Sequence, residues 1–505
     1  MPVFSPPRYQ PPFSPVNKDS APVRLFTGVE KAIKGALFGC RMCGNCILQE
    51  TVFVCPMTCP KGLRNGLCGG ATPEACEVDP SRPCTWYVIY ERAEKMGRLD
   101  KLLEINAPID GSRAGHETWL DTLKLWRERG EGPKPVEYFT NRQKFNDEWD
   151  RFFYDLRQPD WWQGDALFHQ PGYEAPASLL EANLRTGQFT ATAEIAPPLG
   201  ASGDIILKKV GWLKGYVPAA NFTDNASASA RMSSVASSKI CLDAGLEPVM
   251  QLQARDRSRV VIESDAMGAA GLGIRNILCL SGDHHRFGPA PMTKPDQFDM
   301  DAVQVLWMLR RMRDEGIYLD GRSIKRKPEF FLGAAGSPFG APPQYEAIRA
   351  EKKINAGAQF IQTQPVFDYD RFTDWLEALD KRNLLEKVYI LPGLIPLKSA
   401  RAAHFMADDV PGVVVPPEIV KRMDNAGDKE GQKEEGVAIS LEIIEKLMHT
   451  PGINGMHVMA VHWEAIVPRL LDEAGVPKPA VLSLSPEAGA TPHGNGVAAP
   501  APVSG

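Results

Sequence analysis

The chain has 505 residues, of which 43% are hydrophobic and 24% charged, and its formal net charge is −5. This length exceeds one ordinary domain and predicts two or three. The small negative charge leaves no electrostatic footprint for nucleic acid, and no apolar run reaches the about 18 residues of a membrane span. We therefore expect a cytoplasmic protein that acts on small molecules and has no nucleic-acid or membrane partner.

Residues 1–23 are rich in proline and form a predicted N-terminal extension without the apolar core of a secretory signal. A segment dense in cysteine follows. A cytosolic chain keeps its thiols reduced, so we expect these cysteines to bind metal rather than to form disulfides. The predicted ligands are eight of the ten cysteines, namely Cys40, Cys43, Cys46, Cys55, Cys59, Cys68, Cys76 and Cys84.

The spacing of these cysteines does not decide which metal, if any, they bind. A C-x2-C-x2-C pattern followed by two Cys-Pro pairs is typical of iron–sulfur ligation. Eight thiolates could equally build structural zinc sites of four sulfurs each. The third alternative is that no metal binds.

Helical patterns follow the cysteines, because apolar residues recur at three- and four-residue spacing. The predicted helices cover residues 87–104, 116–130 and 144–157. We therefore expect residues 24–175 to form a cysteine-rich, partly helical N-terminal domain.

From about residue 185, apolar β-rich runs alternate with amphipathic helical stretches. Eight strands with helices between them predict an α/β fold, a (β/α)8 TIM barrel over residues 176–475. An open doubly wound sheet is the alternative, but no G-x-G-x-x-G motif follows the first strand. Residues 476–505 are low in complexity and predicted to be disordered. The predicted strands are 189–196, 216–224, 247–255, 274–283, 329–336, 360–368, 388–396 and 455–463.

The active site of such a barrel lies at the carboxyl ends of its strands. Glu194, at the end of strand one, stands between Ala193 and Ile195. A carboxyl group in this partly desolvated place could donate a proton near neutrality. The alternative is an ion pair with an arginine from a neighbouring strand.

Strand four ends in Gly282 and Asp283. The glycine would let a ligand approach the backbone closely, and Asp283 would orient a ring N–H or cap the next helix. The adjacent His284 and His285 are predicted not to bind metal, because neighbouring side chains diverge in an extended loop. His457, on apolar strand eight, is predicted to be a satisfied core histidine.

Six segments of the barrel resemble methylenetetrahydrofolate reductases in order and spacing, over roughly residues 185–470. The segment CPMTCPKGLRNGLCGG is similar to a separate module that accompanies such reductases in anaerobic one-carbon metabolism, and here it precedes the barrel in one chain. The barrel segments are TATAEIAPP, NFTDNASASAR, LQARDR, IRNILCLSGD, AEKKINAGAQFIQTQPVFD and LPGLIPL.

The resemblance implies roles for individual residues. Glu194 matches the family's catalytic acid, Asp283 the acidic residue near flavin and pterin, and Gln364 the folate-contacting glutamine. Some positions depart from the family pattern, such as Gln251, where some members carry histidine. The implied FAD-binding positions are Thr223, Gln251, Gly282, Asp283, Glu346, Arg349 and Lys353.

The implied reaction interconverts 5,10-methylenetetrahydrofolate and 5-methyltetrahydrofolate. Glu194 would protonate N10, the ring would open to an N5 iminium, and reduced FAD would supply hydride after its own reduction by NAD(P)H. A homo-oligomer or an electron-transfer partner is also expected. The alternatives are a pterin-binding methyltransferase-type barrel, whose corrinoid partner motif D-x-H-x-x-G is absent, and a reductase fed by a protein electron donor through the cysteine module.

Overall fold

The computed structural model describes residues 20–484, apart from residues 130, 131, 133, 135, 158, 160, 292 and 294–297. The predictions for residues 1–19 and for the tail from residue 485 onward lie outside the described residues. Residues 476–484 differ from the predicted disorder. Val481 exchanges hydrogen bonds of 2.9 and 3.0 Å with the side chain of Asn183, so this stretch is tied to the barrel.

The N-terminal part combines helices with a long irregular segment. Residues 39–84, which carry the eight predicted ligands, contain little regular structure beyond a 3-10 turn at Pro56–Thr58. Its backbone is held by turn hydrogen bonds between backbone groups, such as Glu50 N–H to the Ile47 carbonyl oxygen, together with bonds to side chains. The helices are α1 (Ala21–Phe38), α2 (Thr85–Lys95), α3 (Trp119–Arg129), α4 (Glu137–Thr140) and α5 (Arg142–Arg157).

The predicted helix over residues 87–104 is wrong in extent. Helix α2 ends at Lys95, and a separate 3-10 helix covers Leu99–Leu103. Gly97 adopts φ +65°, a left-handed conformation that ends a helix and that glycine reaches at little cost.

Eight parallel strands close into a barrel in which each strand pairs with its neighbours in chain order, and β1 pairs with β8. This confirms the predicted (β/α)8 barrel and excludes the open doubly wound sheet. The strands are β1 (Thr190–Ile195), β2 (Ala219–Phe222), β3 (Glu247–Gln253), β4 (Asn276–Leu280), β5 (Phe331–Gly336), β6 (Phe360–Pro365), β7 (Tyr389–Leu394) and β8 (Gly455–Val458).

Helices surround the strands, and the main apolar clusters lie between the two layers. Among the described residues, no helix combines the length and apolar character needed to cross a membrane. The helices are α6 (Leu179–Arg185), α7 (Asp204–Leu213), α8 (Ser234–Asp243), α9 (Arg259–Gly271), α10 (Ala302–Asp314), α11 (Pro343–Asn355), α12 (Tyr369–Asp380), α13 (Ala400–Asp408), α14 (Pro417–Asn425), α15 (Lys429–Met448) and α16 (Val467–Glu473).

Candidate active site

The amino-terminal end of the barrel is closed by apolar side chains. Leu180 and Leu184 of α6 belong to the same buried cluster as Phe331 and Phe360, whose rings stack with centroids 4.9 Å apart. The two phenylalanines are the first residues of their strands. The barrel is therefore plugged at this end, and a ligand must enter at the carboxyl ends of the strands.

A layer of polar side chains lies above this floor. Asn221 and Gln362 form a reciprocal amide pair, with N···O distances of 2.6 and 3.1 Å. Gln362 Nε2 also donates to Thr192 Oγ1 at 3.2 Å, and this hydroxyl lies 2.9 Å from His457 Nδ1. Each of these four side chains is buried. Because buried polar groups that satisfy one another hold single conformations, the layer is a rigid base for the groups above it.

His457 Nδ1 faces this layer. It lies 2.9 Å from Thr192 Oγ1 and 3.3 Å from Gln362 Nε2, and the Thr192 hydroxyl also donates to the Met456 carbonyl oxygen at 3.3 Å. The prediction of a satisfied core histidine therefore describes one edge of the ring. The other edge points towards Glu194, with Nε2 3.7 Å from Glu194 Oε2.

Glu194 lies near the end of β1, and its side chain is 16% exposed. Gln251 Nε2 on β3 donates to its Oε2 at 3.0 Å, and His457 Nε2 on β8 lies 3.7 Å from the same oxygen. Among the described residues no arginine pairs with Glu194, and the alternative of an ion pair finds no support. With Oε2 held, Oε1 is the oxygen available to exchange a proton with a ligand.

Asp283 stands on the same rim of the barrel, after β4. Its Oδ2 accepts from the Ser227 backbone N–H at 2.7 Å, and its carbonyl oxygen accepts from Arg255 at 3.0 Å. Gly282 has φ +95°, and a Cβ there would come 2.5 Å from Gln253 Oε1. Glycine is therefore required for the close packing that presents Asp283 at the rim.

Two further predicted site residues have side chains on this rim. Thr223 follows β2 and is buried, and its Oγ1 has no hydrogen-bond partner among the described residues. Gln364 lies near the end of β6, where the pairing with β7 shifts register after Gln362. Gln364 is half-buried, in contrast to the buried Gln362 below it.

The remaining implied FAD positions lie on α11 and are buried. Arg349 Nη1 binds Glu346 Oε2 at 3.0 Å, and Lys353 Nζ donates to the Ala335 carbonyl oxygen at 2.6 Å. Desolvation by burial lowers the pKa of Lys353 well below the usual value for lysine. The polar ends of these three side chains are therefore engaged within the chain.

The residues between β2 and β4 fit a flavin. The orphaned hydroxyl of Thr223 is the kind of buried group that a ligand satisfies. Next to Asp283, the place of a side chain at Gly282 is filled by Gln253 and Arg255, so this position supports the rim by packing. Glu346, Arg349 and Lys353 would contribute to such a site only by exchanging their present bonds.

Four of the predicted metal ligands line one small cavity of about 20 Å³ in the N-terminal domain, and they are Cys40, Cys43, Cys46 and Cys55. Lys34 Nζ donates to Cys46 Sγ at 3.7 Å, and Arg64 also lines the cavity. A hydrogen bond from Cys55 lowers the pKa of the Cys40 thiol to about 6. In the same cavity, burial raises the pKa of the Cys46 thiol, and the hydrogen bond with Cys40 raises the pKa of Cys55.

The other four predicted ligands lie in more apolar surroundings. Cys84 belongs to a buried apolar cluster, and Cys59 and Cys68 pack against it. Burial raises the pKa of Cys84 to about 11, and Cys76 is also buried. Within the described residues, no three His, Cys, Asp or Glu side chains form a group that could hold a metal ion. Metal binding by the cysteines stays a prediction.

The adjacent histidines make contacts other than ligation. His284 Nδ1 accepts from the Arg286 backbone N–H at 3.1 Å, and His285 Nε2 lies 3.5 Å from Asp256.

Sequence reasoning did not identify the buried layer of Thr192, Asn221, Gln362 and His457. One signal could have found part of it. Thr192 and Glu194 are two residues apart on β1, and so are Gln362 and Gln364 on β6. Residues two apart in a barrel strand share the interior side.

Two family models match the chain. The model described as methylenetetrahydrofolate reductase matches residues 179–475, and one described as "Methylene-tetrahydrofolate reductase C terminal" matches residues 21–112. The first match covers more than half of the sequence and falls on the barrel with its carboxyl-end rim. The chain belongs to the methylenetetrahydrofolate reductase family.

Individual relatives are distant. "Methylenetetrahydrofolate reductase 1" of Schizosaccharomyces pombe is 27% identical over 239 residues, which cover 46% of this chain and 36% of that protein. The 5,10-methylenetetrahydrofolate reductase of Pectobacterium carotovorum is 26% identical over 214 residues, 42% of this chain and 64% of that protein. The chain thus spans about a third of the yeast relative and less than two thirds of the bacterial one.

Among solved structures, an uncharacterized protein from Clostridium thermocellum that binds two copies of 5-methyl-5,6,7,8-tetrahydrofolic acid is 17% identical, with a TM-score of 0.43. The match covers 59% of this chain and 100% of that one.

Proposed function

We propose that the chain interconverts 5,10-methylenetetrahydrofolate and 5-methyltetrahydrofolate in one-carbon metabolism. The observation that carries the proposal is Glu194, a half-buried carboxyl group held through one oxygen by Gln251 and facing His457. Family membership defines the reaction class, and Glu194 is the group whose position suits the acid that this reaction needs.

Glu194 acts as the proton donor in the direction of reduction. Its Oε1 delivers a proton to N10 of the substrate, the C–N10 bond breaks, and the carbon remains on N5 as an iminium. A hydride added to that carbon completes the methyl group, so one proton and one hydride are consumed in total. The hydrogen bond from Gln251 keeps Oε2 in place through this step, which limits the rotation of the carboxyl group, and His457 lies beside the same oxygen.

Asp283 and Gln364 bind and orient the substrate. Both stand on the rim above the paired amides of the buried layer, where a flat pterin ring would meet an amide and a carboxylate. Asp283 is fixed by Ser227 and by Arg255, so its carboxylate keeps one direction.

FAD is the proposed cofactor, and when bound it would supply the hydride, with NAD(P)H as the source of electrons. Thr223, Gln251, Gly282 and Asp283 would hold it at the rim. Glu346, Arg349 and Lys353 would join them after exchanging the bonds that they now make with each other and with Ala335.

For the cysteine module we propose a metal centre, iron–sulfur or zinc, at the cavity of Cys40, Cys43, Cys46 and Cys55. These four thiols line one cavity next to Lys34, but among the described residues no three of them form a ligand group, so binding of either metal would have to draw them together. A second candidate function is a reductase that takes electrons from a protein donor through the cysteine module, because the module borders the rim at Val78 and Arg64.

The test is an assay of freshly purified protein with 5,10-methylenetetrahydrofolate and NADH or NADPH, with 5-methyltetrahydrofolate quantified by chromatography. We expect product formation and a flavin absorption spectrum. Turnover with a reduced dye but not with NAD(P)H would favour the protein electron donor. No methyl product with any donor would contradict the proposal. Iron and zinc analysis of the same sample tests the metal centre.

A further inference from the structure

The N-terminal domain lies on the carboxyl-end face of the barrel. Arg286, in the loop after β4, donates to the Val78 carbonyl oxygen. Asp301, the N-cap residue of α10, accepts from the Arg64 backbone N–H at 3.1 Å and from Asn65 Nδ2 at 3.0 Å. The cysteine segment therefore borders the same rim that carries the candidate active site.

The closest approach is made by two glycines of the module. A Cβ on Gly69 would lie 3.0 Å from Ser337 Oγ and 3.7 Å from Gln364 Nε2. A Cβ on Gly70 would lie 2.5 Å from the Cβ of Pro411 in the loop before α14. The module backbone is thus packed closely against Ser337 after β5, Gln364 at the end of β6 and Pro411 in the loop between α13 and α14.

A buried ion pair stands beside this contact. Lys61 Nζ and Glu77 Oε2 are 3.0 Å apart, and their side chains are 5% and 8% exposed. The Asp283 carboxylate interacts electrostatically with Lys61 across the boundary between module and barrel. Two of the residues proposed to bind substrate, Asp283 and Gln364, therefore each have a neighbour in the module.

We propose that residues 61–78 of the module form one wall of the folate-binding site, and that Gly69 fixes the position of the Gln364 amide. This inference rests on the proposed function. The wall contributes no reacting group. It sets where the pterin ring of the reduced folate lies against β5 and β6, so the barrel alone has an incomplete site.

The absence of a side chain at position 69 is the feature to be tested. An added methyl group comes too close to Ser337 and reaches contact distance of Gln364. Gly69 has no positive φ, so alanine or valine can adopt its backbone conformation. Such a substitution therefore disturbs only the packing against Ser337 and Gln364. Overpacking of this kind would move the amide that the ligand uses.

The experiment measures 5-methyltetrahydrofolate binding by titration calorimetry, together with kcat and KM, for the full chain and for Gly69→Ala and Gly69→Val. We expect the valine variant to raise the dissociation constant and KM by about tenfold, and the alanine variant to raise them less, from the cost of overpacking. Gly111→Ala is the matched control, because Gly111 lies in the same domain, has open space around it and no positive φ.

A second measurement separates the wall from a general loss of structure. Ser337→Ala removes the oxygen that the new methyl group would approach, so the double variant Gly69→Ala/Ser337→Ala should bind folate more tightly than Gly69→Ala. Wild-type folate affinity in both Gly69 variants would contradict the proposal that the module forms this wall. So would a double variant that binds folate no more tightly than Gly69→Ala. If the wild-type chain binds reduced folates but shows no turnover, the proposed function fails while the binding test of the wall still stands.

Discussion

The barrel and the cysteine module hold their polar groups in opposite ways. In the barrel, a closed sheet fixes the backbone, and polar side chains such as Asn221 and Gln362 satisfy each other inside it. In the module, the cysteine segment has little regular structure, and it is held by turn hydrogen bonds and by side chains, as when Asn45 binds the backbone of Asp110.

This difference indicates where each region obtains its stability. The barrel core is complete without a ligand, so its site can be altered one group at a time. The segment around Cys40, Cys43, Cys46 and Cys55 lines a cavity, and we expect metal bound there to contribute to its folding. Substitutions of these cysteines should therefore change the structure of the module, whereas substitutions at the barrel rim should change activity.

The largest effect should come from Glu194→Gln. The amide keeps the shape and the contact with Gln251 but cannot donate the proton to N10. Since general acid catalysis is typically worth about 10²–10⁴-fold, folate turnover should fall by at least that factor. Thermal stability and flavin content should stay near wild type. Folate turnover within a few-fold of wild type would show that this carboxyl group is not the acid.

Cys55→Ser tests the module. We expect this variant to lose metal and the residues around the cavity to become sensitive to protease, because structural metal binding contributes directly to folding. The barrel should keep its melting temperature. The control is Cys241→Ser, which removes a thiol from α8 without touching the module. A metal-free wild-type protein whose module resists protease would contradict the dependence on metal.

The barrel could be predicted from sequence because each parallel strand is a short apolar run and each connection is long enough for a helix. The catalytic candidates could be placed because they follow those runs. The structure of the cysteine module could not be predicted in the same way, because an irregular segment has no periodic pattern of apolar residues. The contact of Gly69 with Gln364 joins residues 295 positions apart, and the role of His457 depends on Thr192 across the β1–β8 closure. Neither is encoded by local spacing.

His457→Gln tests whether the buried polar layer of the barrel affects the activity of Glu194. The substitution removes the ring that bridges the buried layer and Glu194, while the acid itself remains. We expect kcat to fall about tenfold, the order of one lost partner to a reacting group, with little change in KM. His404→Gln, on the half-exposed ring of α13, is the control and should change neither quantity.

Thr223→Val should have the smallest effect, and its sign is informative. The Thr223 hydroxyl is buried without a partner, whereas the Thr363 hydroxyl donates to the Gln364 carbonyl oxygen at 2.7 Å. Burying an unpaired hydroxyl costs about 1–3 kcal/mol, so valine at position 223 should stabilise the flavin-free protein by up to that amount.

The same substitution should weaken flavin binding by about fivefold if the hydroxyl bonds to the bound cofactor, since one neutral hydrogen bond contributes about 1 kcal/mol. Thr363→Val, the control, should destabilise the protein, because it breaks an existing bond inside the barrel. Calorimetric unfolding and FAD titration of flavin-free samples measure both quantities. A Thr223→Val protein that is less stable yet retains FAD would mean that the hydroxyl serves the barrel and not the cofactor, and the rim from β2 to β4 would then lose its support as the flavin site.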